Sequence, residues 1–243
     1  MQLTYVIIIN AQSLEIEIID ESELREINEL EASANQEANN GSESDDEDMQ
    51  EDYATDNEPP EENAKLVFTR HKEAALCVCL SKKGDIALSG GQDDVAYLWN
   101  TENGNILVEC VGHKDSIVCV AFSQSEKYIA TGDMSGLIQV WKVENGEKIY
   151  EYEVEELQWL KWHTVLDTVL LCGTESGASW LLKVNDPSQI KTFQGPAVAC
   201  GCGKISVCGS KAVMGYNDGS VKLIDLKTGN ALINIRGTYC GIL

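Results

Sequence analysis

No stretch of these 243 residues is apolar for long enough to cross a bilayer. The run near the start, Leu3-Thr-Tyr-Val-Ile-Ile-Ile9, is short and lacks the basic flank and cleavage site of a secretory signal. Neither a membrane span nor an export leader is expected, and the Asn40-Gly-Ser42 sequon is expected to stay unglycosylated. Bases are scarce: 18 Lys and Arg stand against 40 Asp and Glu, a formal charge of −22. Such a surface repels phosphate backbones, which disfavours DNA and RNA as direct partners and suits a basic protein. The nine cysteines form no C-x-x-C pair; Cys77-Val-Cys79 and Cys200-Gly-Cys202 are C-x-C. Structural zinc needs four ligands at recognisable spacing, so no metal is expected. Cys77 and Cys79 alternate with Leu76, Val78 and Leu80 along one predicted strand and behave as small apolar residues. Many unpaired thiols suit a reducing compartment, the cytoplasm or also the nucleus. There is no histidine cluster, no nucleophile–base spacing and no phosphate-cradling glycine loop. Gly90-Gly91 and Gly201/Gly203 fall in predicted turns. No catalytic, cofactor or small-molecule site is expected, and the chain is not expected to be an enzyme.

What is present divides in two. Residues 1–63 hold 20 acids and a single base, Arg25, whereas residues 64–243 hold 20 acids and 17 bases. An acidic arm thus precedes a nearly neutral body. From Glu15 to Glu62 the chain is rich in Glu, Asp, Asn and Ser, with Pro59-Pro60 near the end. Low apolar content and like-charge repulsion predict a largely disordered arm. Its most acidic block, Ser42-Glu-Ser-Asp-Asp-Glu-Asp48, places Ser42 and Ser44 where an acid-directed kinase could act. The arm is either a solubilising tail or a flexible polyanion that captures a basic partner and screens it from RNA. Scattered apolar residues between Leu14 and Leu30 suggest a short helix formed on binding.

In the body, Trp99, Trp141, Leu182 and Ile224 follow one another at intervals of 42, 41 and 42 residues, each nine residues after a glycine. A period of about 40–45 residues with strand-turn-strand content is that of a propeller blade. Period-2 alternation bounded by Gly and Asp turns predicts four strands per repeat. They fall near 74–80, 86–90, 95–99 and 106–110, then 116–122, 128–132, 137–141 and 148–153. The third repeat gives 157–162, 168–172, 178–183 and 190–194, and the fourth about 199–207, 212–215, 220–224 and 231–235. His71 and His113 each lie 28 residues before the closing Trp, and Gly112-His113, Gly195-Pro196 and Gly237-Thr238 mark the repeat heads.

These residues resemble the WD40 family, whose repeats run from Gly-His to Trp-Asp. The resemblance implies a buried tetrad of His, a strand hydroxyl, a turn Asp and the Trp. The first repeat supplies His71, Ser89, Asp93 and Trp99; the second supplies His113, Thr131 and Trp141, with Ser135 where Asp is expected. The third keeps none of the four and the fourth only Asp218, so those blades are expected to rely on apolar packing. His71 and His113 are then structural, whereas His163, without a repeat counterpart, is expected in a surface turn.

Gly91–Trp99, Gly112–Cys119, Ala130-Thr-Gly-Asp-Met-Ser-Gly136, Trp159–His163 and Lys191-Thr-Phe-Gln-Gly-Pro196 more closely resemble the angio-associated migratory cell protein family. An acidic arm before the first blade is also like that family. The expected fold is an all-β WD40 propeller preceded by a disordered acidic arm. Its domains are the arm at 1–63 and the propeller at 64–243, with blades near 71–112, 113–153, 154–195 and 196–236 and the start of a fifth at 237. The resemblance implies seven blades in all, so four are expected here, in a chain shortened at its C-terminus; a closed four-blade ring is the alternative. Leu66-Val-Phe-Thr69 is placed as the strand that would complete a last blade, and residues 64–243 alone are expected to be poorly soluble.

Propellers present loops at both rims of a stiff disc, and partners are specified by those loops. The expected function is a non-enzymatic protein-interaction scaffold. The resemblance adds a chaperone or assembly role for a basic large-subunit ribosomal protein, a part played by a related fungal propeller with an acidic arm. It equally admits a signalling scaffold in cell migration and angiogenesis, or a ubiquitin-ligase substrate adaptor. Candidate contacts are Asp45, Asp46, Glu47 and Asp48 in the arm, and Asp94, Lys114, Asp115 and Asp133 in rim loops. Asp93 could also reach a partner, although the tetrad claims it. No nucleic acid, membrane, small molecule or cofactor is expected among the partners.

Overall fold

Alternating apolar side chains favour short strands, and turns at Gly and Asp fold successive strands antiparallel. The computed structural model describes residues 6–9, 16–19, 66–186 and 188–236, and those residues contain strands throughout. The chain divides into two compact units, Met1–Phe68 and Thr69–Leu243.

In the first unit β1 (Val6–Ile9) pairs antiparallel with β2 (Ile16–Ile19), Val6 opposite Ile19 and Ile9 opposite Ile16. In the free chain Ile16–Ile19 is therefore strand; the helix suggested between 14 and 30 is one formed on binding. Three isoleucines in four residues favour an extended backbone, and the Ile-rich run upstream supplies a matching ladder. Asp45, Asp46, Glu47 and Asp48 lie outside the described residues.

The second unit is four antiparallel sheets in series. The first blade is β3 (Ala75–Leu80), β4 (Ile86–Gly91), β5 (Ala96–Asn100) and β6 (Ile106–Cys110). The second is β7 (Ile117–Phe122), β8 (Tyr128–Asp133), β9 (Leu137–Lys142) and β10 (Lys148–Glu153). The third is β11 (Leu157–Trp162), β12 (Val169–Thr174), β13 (Ser179–Lys183) and β14 (Ile190–Phe193). The fourth is β15 (Cys202–Ile205), β16 (Lys211–Gly215), β17 (Val221–Asp225) and β18 (Ala231–Ile235). Within each blade the strands lie side by side in chain order, so every connection is a hairpin.

The inner strands pack in succession, β3 on β7, β7 on β11 and β11 on β15. No comparable packing joins the fourth sheet to the first among the described residues. Three apolar layers fill the spaces between neighbours. Leu88, Leu98 and Val108 meet Ile117, Ile129 and Trp141; Ala130, Val140 and Tyr150 meet Leu160, Trp162, Leu170 and Leu182; Leu171 meets Ile205, Met214 and Ile224.

Residues 66–70 form no strand, and the blade that Leu66–Thr69 would complete is not among the four described. One expected strand differs. The innermost strand of the fourth blade is shorter than 199–207. Cys200 donates its N–H to the Thr174 carbonyl (3.1 Å), and Ala199 accepts from Asn217 N–H (3.0 Å), which ties 199–200 to two turns instead.

Candidate functional site

The features that set the rim loops of this disc are buried. In the first blade, His71 Nδ1 lies 3.0 Å from Asp93 Oδ1 and its Nε2 lies 2.9 Å from Ser89 Oγ. Trp99 Nε1–H donates to the same hydroxyl at 3.2 Å. With Nδ1–H donating to the carboxylate, the serine O–H points at Nε2 and the relay from indole to carboxylate is complete. Asp93 also accepts the backbone N–H of Lys72 at 2.9 Å, which fixes the loop entering the blade.

The second blade builds the same object from a different position. His113 Nε2 meets Thr131 Oγ1 at 2.7 Å and Trp141 Nε1 meets it at 3.3 Å. The carboxylate facing His113 Nδ1, at 3.0 Å, belongs to Asp133 at the end of β8, two residues before the turn position. Ser135 fills that turn position and donates to Asp133 Oδ1 at 2.7 Å; Leu137 N–H (3.0 Å) and Lys114 N–H (3.1 Å) donate as well. Asp133, a rim-contact candidate by sequence, is therefore a tetrad member with a relative exposure of 0%. Its place in the first blade is taken by Gly91, and the space there explains why. A Cβ on Gly91 would stand 2.7 Å from both Asp93 Oδ1 and His71 Nδ1. In the first blade the Asp93 carboxylate therefore needs a glycine at 91.

In the third and fourth blades the places of the strand hydroxyl and of the tryptophan are apolar. Val154, Cys172 and Leu182 are buried in one layer, and Met214 and Ile224 in the next. Asp218 accepts the Ser220 N–H at 2.8 Å in its own turn.

Burial tends to raise the Asp133 carboxyl, but bonds from His113, Ser135 and two backbone N–H groups outweigh it and hold its pKa at about 2, below the ordinary 3.8. A depressed folded-state value stabilises fully above the unfolded pKa and is lost as pH falls through the folded one. Acid titration from pH ~4 to ~2 is expected to remove about 2 kcal/mol of stability through this group. Chemical denaturation of Asp133→Asn across that range checks it: an acid limb as steep as in the parent chain would refute the assignment.

Each blade's middle turn, after β4, β8, β12 and β16, needs one left-handed residue at the same register. Gly136, Gly177 and Gly219 have φ of 98°, 86° and 77°, and Asp94 takes φ 60° in the first blade. Aspartate tolerates this region better than most residues, so the half-buried Asp94 has a structural task at the rim. Lys114 and Asp115 are exposed there; Lys114 Nζ pairs with Glu153 at 2.8 Å and Asp115 accepts the Ser116 N–H at 2.8 Å.

At the opposite rim the inner turns are stapled blade to blade. Lys82 Nζ donates to Gln124 O (2.5 Å), Ser125 N–H to Asp167 (2.8 Å) and Thr164 Oγ1 to Ser206 O (2.7 Å). His163 belongs to this series and is not a surface-turn residue. It is buried, with Nε2–H donating to Gly209 O at 2.8 Å and Nδ1 accepting from Val165 and Leu166 N–H at 3.1 Å each. The sequence signal for it was Gly209, on the next blade, where a Cβ would meet the His163 ring at 2.2 Å.

Burial pushes the Cys79, Cys110 and Cys119 thiols up to about 12, in keeping with an apolar role. Cys208 is exposed, and hydrogen bonds with Ser206 and Ser210 bring its thiol down to about 7. No group of three or more His, Cys, Asp or Glu side chains is gathered in a way that could hold a metal ion among the described residues. No helix among them is long and apolar enough to cross a membrane.

Comparison with known proteins agrees with this geometry. The family model described as "WD domain, G-beta repeat" matches residues 63–100 and 104–142. Angio-associated migratory cell protein from Homo sapiens and from Pongo abelii is 35% identical over 178 residues, 73% of this chain and 41% of the relative. The Canis lupus familiaris protein of that name is equally similar and is 40% covered. The chain thus spans about two fifths of the length of the curated relatives it matches. Among solved structures, the computationally designed Ika8 protein gives a TM-score of 0.62 at 23% identity, covering 69% of this chain and 51% of that one. The β-propeller domain of Myceliophteria_thermophila Cps50 (Swd1) gives 0.62 at 16% identity, covering 68% and 55%.

Proposed function

The chain is a WD40-repeat protein similar to angio-associated migratory cell protein, and from that premise we propose that it is a non-enzymatic scaffold whose acidic arm captures a basic protein client. The observation that carries the proposal is the division of charge. Nearly all of the net −22 resides in residues 1–63, and the body beside it is close to neutral. A polyanion raises the encounter rate with a cationic partner and shields that partner from RNA. A propeller rim set by buried tetrads and stapled turns then supplies a rigid surface for the specific contact. A strongly basic ribosomal protein of the large subunit fits both parts, and a chaperone or assembly role in the cytoplasm or nucleus follows. Lys114, Asp115 and Asp94 are the rim residues offered to it. Angio-associated migratory cell protein bears a name that favours a second reading, a signalling scaffold in cell migration.

Capture of partners by the intact chain and by a chain lacking residues 42–62, each at low and high salt, separates the two. Loss of a basic ribosomal protein on deletion, and in high salt, is expected. Retention of signalling proteins alone, indifferent to salt, would replace the first reading by the second.

A further inference from the structure

We propose that the inner turn of the third blade, with a cavity beside it on the second, docks a protein segment carrying arginine next to a branched apolar residue; this rests on the reading of the partner as a basic protein. The turns after β3, β7 and β15 share one design. Each has five residues, 81–85, 123–127 and 206–210, and closes on a leading serine. Ser81 Oγ accepts the Ile86 N–H (3.1 Å), Ser123 Oγ that of Tyr128 (3.2 Å) and Ser206 Oγ that of Lys211 (3.1 Å). The fourth residue of each is left-handed: Gly84 at φ 74°, Glu126 at 59° and Gly209 at 73°.

The turn after β11, residues 163–168, departs from that design. It has six residues and no positive φ, and His163 stands in the place of serine. The longer turn leaves Val165 and Leu166 59% and 51% exposed, where the first and second blades carry Lys83 and Ser125. Single apolar residues on a surface are ordinary. These two are adjacent and firmly held. Their N–H groups both donate to the buried His163 Nδ1, Thr164 Oγ1 donates to Ser206 O, and Asp167 accepts the Ser125 N–H. Little order remains to be lost on binding, so apolar contact there is retained as affinity. Turns of the second and fourth blades flank the pair, and neither covers it.

The charged half of the site adjoins it. A cavity of about 460 Å³ opens between the inner and outer turns of the second blade, with Glu126, Tyr128, Val143 and Glu144 in its lining. Ser125, bonded to Asp167, joins the Glu126 wall to the apolar pair. Four carboxylates gather here, on Glu126, Glu144, Glu147 and Asp167, against two ammonium groups, on Lys127 and Lys142. Lys142 is already paired with Glu147 at 2.6 Å. The surplus is negative. A tyrosine ring among carboxylates suits a guanidinium, which stacks on the one and donates to the others.

Fluorescence anisotropy of labelled synthetic peptides, titrated with the full 243-residue chain, tests this. The peptides alternate arginine with leucine, arginine with serine, or glutamine with leucine. In high salt, where attraction by the acidic arm is screened, the Arg–Leu peptide is expected to bind about tenfold more tightly than either control. Val165→Ser combined with Leu166→Ser should weaken it about tenfold with an unchanged far-UV spectrum. Glu144→Gln should weaken it severalfold. Deleting residues 42–62 should reduce binding at low salt and leave the high-salt affinity unchanged. Equal binding of the Arg–Leu and Arg–Ser peptides would overturn the docking site, as would an affinity indifferent to the double substitution. Low-salt binding that survives the deletion, with the effect of the double substitution intact, would refute capture by the arm and uphold the rim site.

Discussion

Gly177→Ala is expected to disrupt the junction of the third and fourth blades and to destabilise the body by about 4 kcal/mol or more. Two costs act together. With φ at 86° the residue sits where an L side chain strains its own backbone, a cost of about 1–2 kcal/mol. The larger cost is steric. A Cβ would stand 1.9 Å from the Pro196 carbonyl oxygen and 2.5 Å from that of Val198, both main-chain atoms of the segment leading into β15. Moving that segment would pull on the 2.8 Å bond between Val198 N–H and Pro196 O and on the bond from Cys200 N–H to Thr174 O. It would also open the layer where Cys200 packs with Met214 and Tyr216. Gly229→Ala separates the two costs, for it shares the conformation (φ 80°) but its Cβ would meet only Phe193, at an ordinary 3.6 Å. It should lose only the strain, about 1–2 kcal/mol. Urea denaturation of both variants measures the difference; equal losses would show that the close approach is not what fixes glycine at 177.

Strands were legible because period-2 alternation and Gly or Asp turns are local properties, and each blade satisfies its ladder from consecutive residues. The first tetrad was legible for a similar reason: His71, Ser89, Asp93 and Trp99 occupy the places the repeat assigns. What could not be read are groups whose role depends on a neighbour in space. His163 acts through Gly209, 46 residues on, and nothing near it in the chain marks that contact. The pairing of β1 with β2 was hidden by the acids around Ile16–Ile19, because charge density predicts the arm's average behaviour and not one short ladder within it. Leu66–Thr69 shows the converse. Its apolar character suits a strand, but the blade it would complete is not among the four described.

Asp133 is the most instructive residue of this kind, and Asp133→Ala is expected to cost about 3 kcal/mol. The loss leaves His113 Nδ1 and the Lys114 and Leu137 N–H groups facing an empty pocket. By sequence register the acid seemed to be missing from the second blade, since Ser135 stands where Asp93 stands in the first. Geometrically it has only changed the residue that carries it. The pairs Gly91 with Asp93, and Asp133 with Ser135, are two ways to place one carboxylate beside one imidazole. A rescue follows from that equivalence. Asp133→Gly combined with Ser135→Asp rebuilds the first blade's arrangement in the second and should recover all but about 1 kcal/mol, a coupling between the two sites of about 2 kcal/mol. Asp133→Ala combined with Ser135→Asp should recover less, because the alanine Cβ would compete for the space that Gly91 leaves empty in the first blade. Equilibrium denaturation of the three single variants (Asp133→Ala, Asp133→Gly and Ser135→Asp) and the two double variants completes both cycles. If the Gly–Asp pair proved no more stable than Asp133→Ala, the tetrad would depend on its carrier residue and the two blades would not be alternative solutions of one constraint. If it recovers, what the repeat preserves is the position of a charge and not the identity of a residue in register.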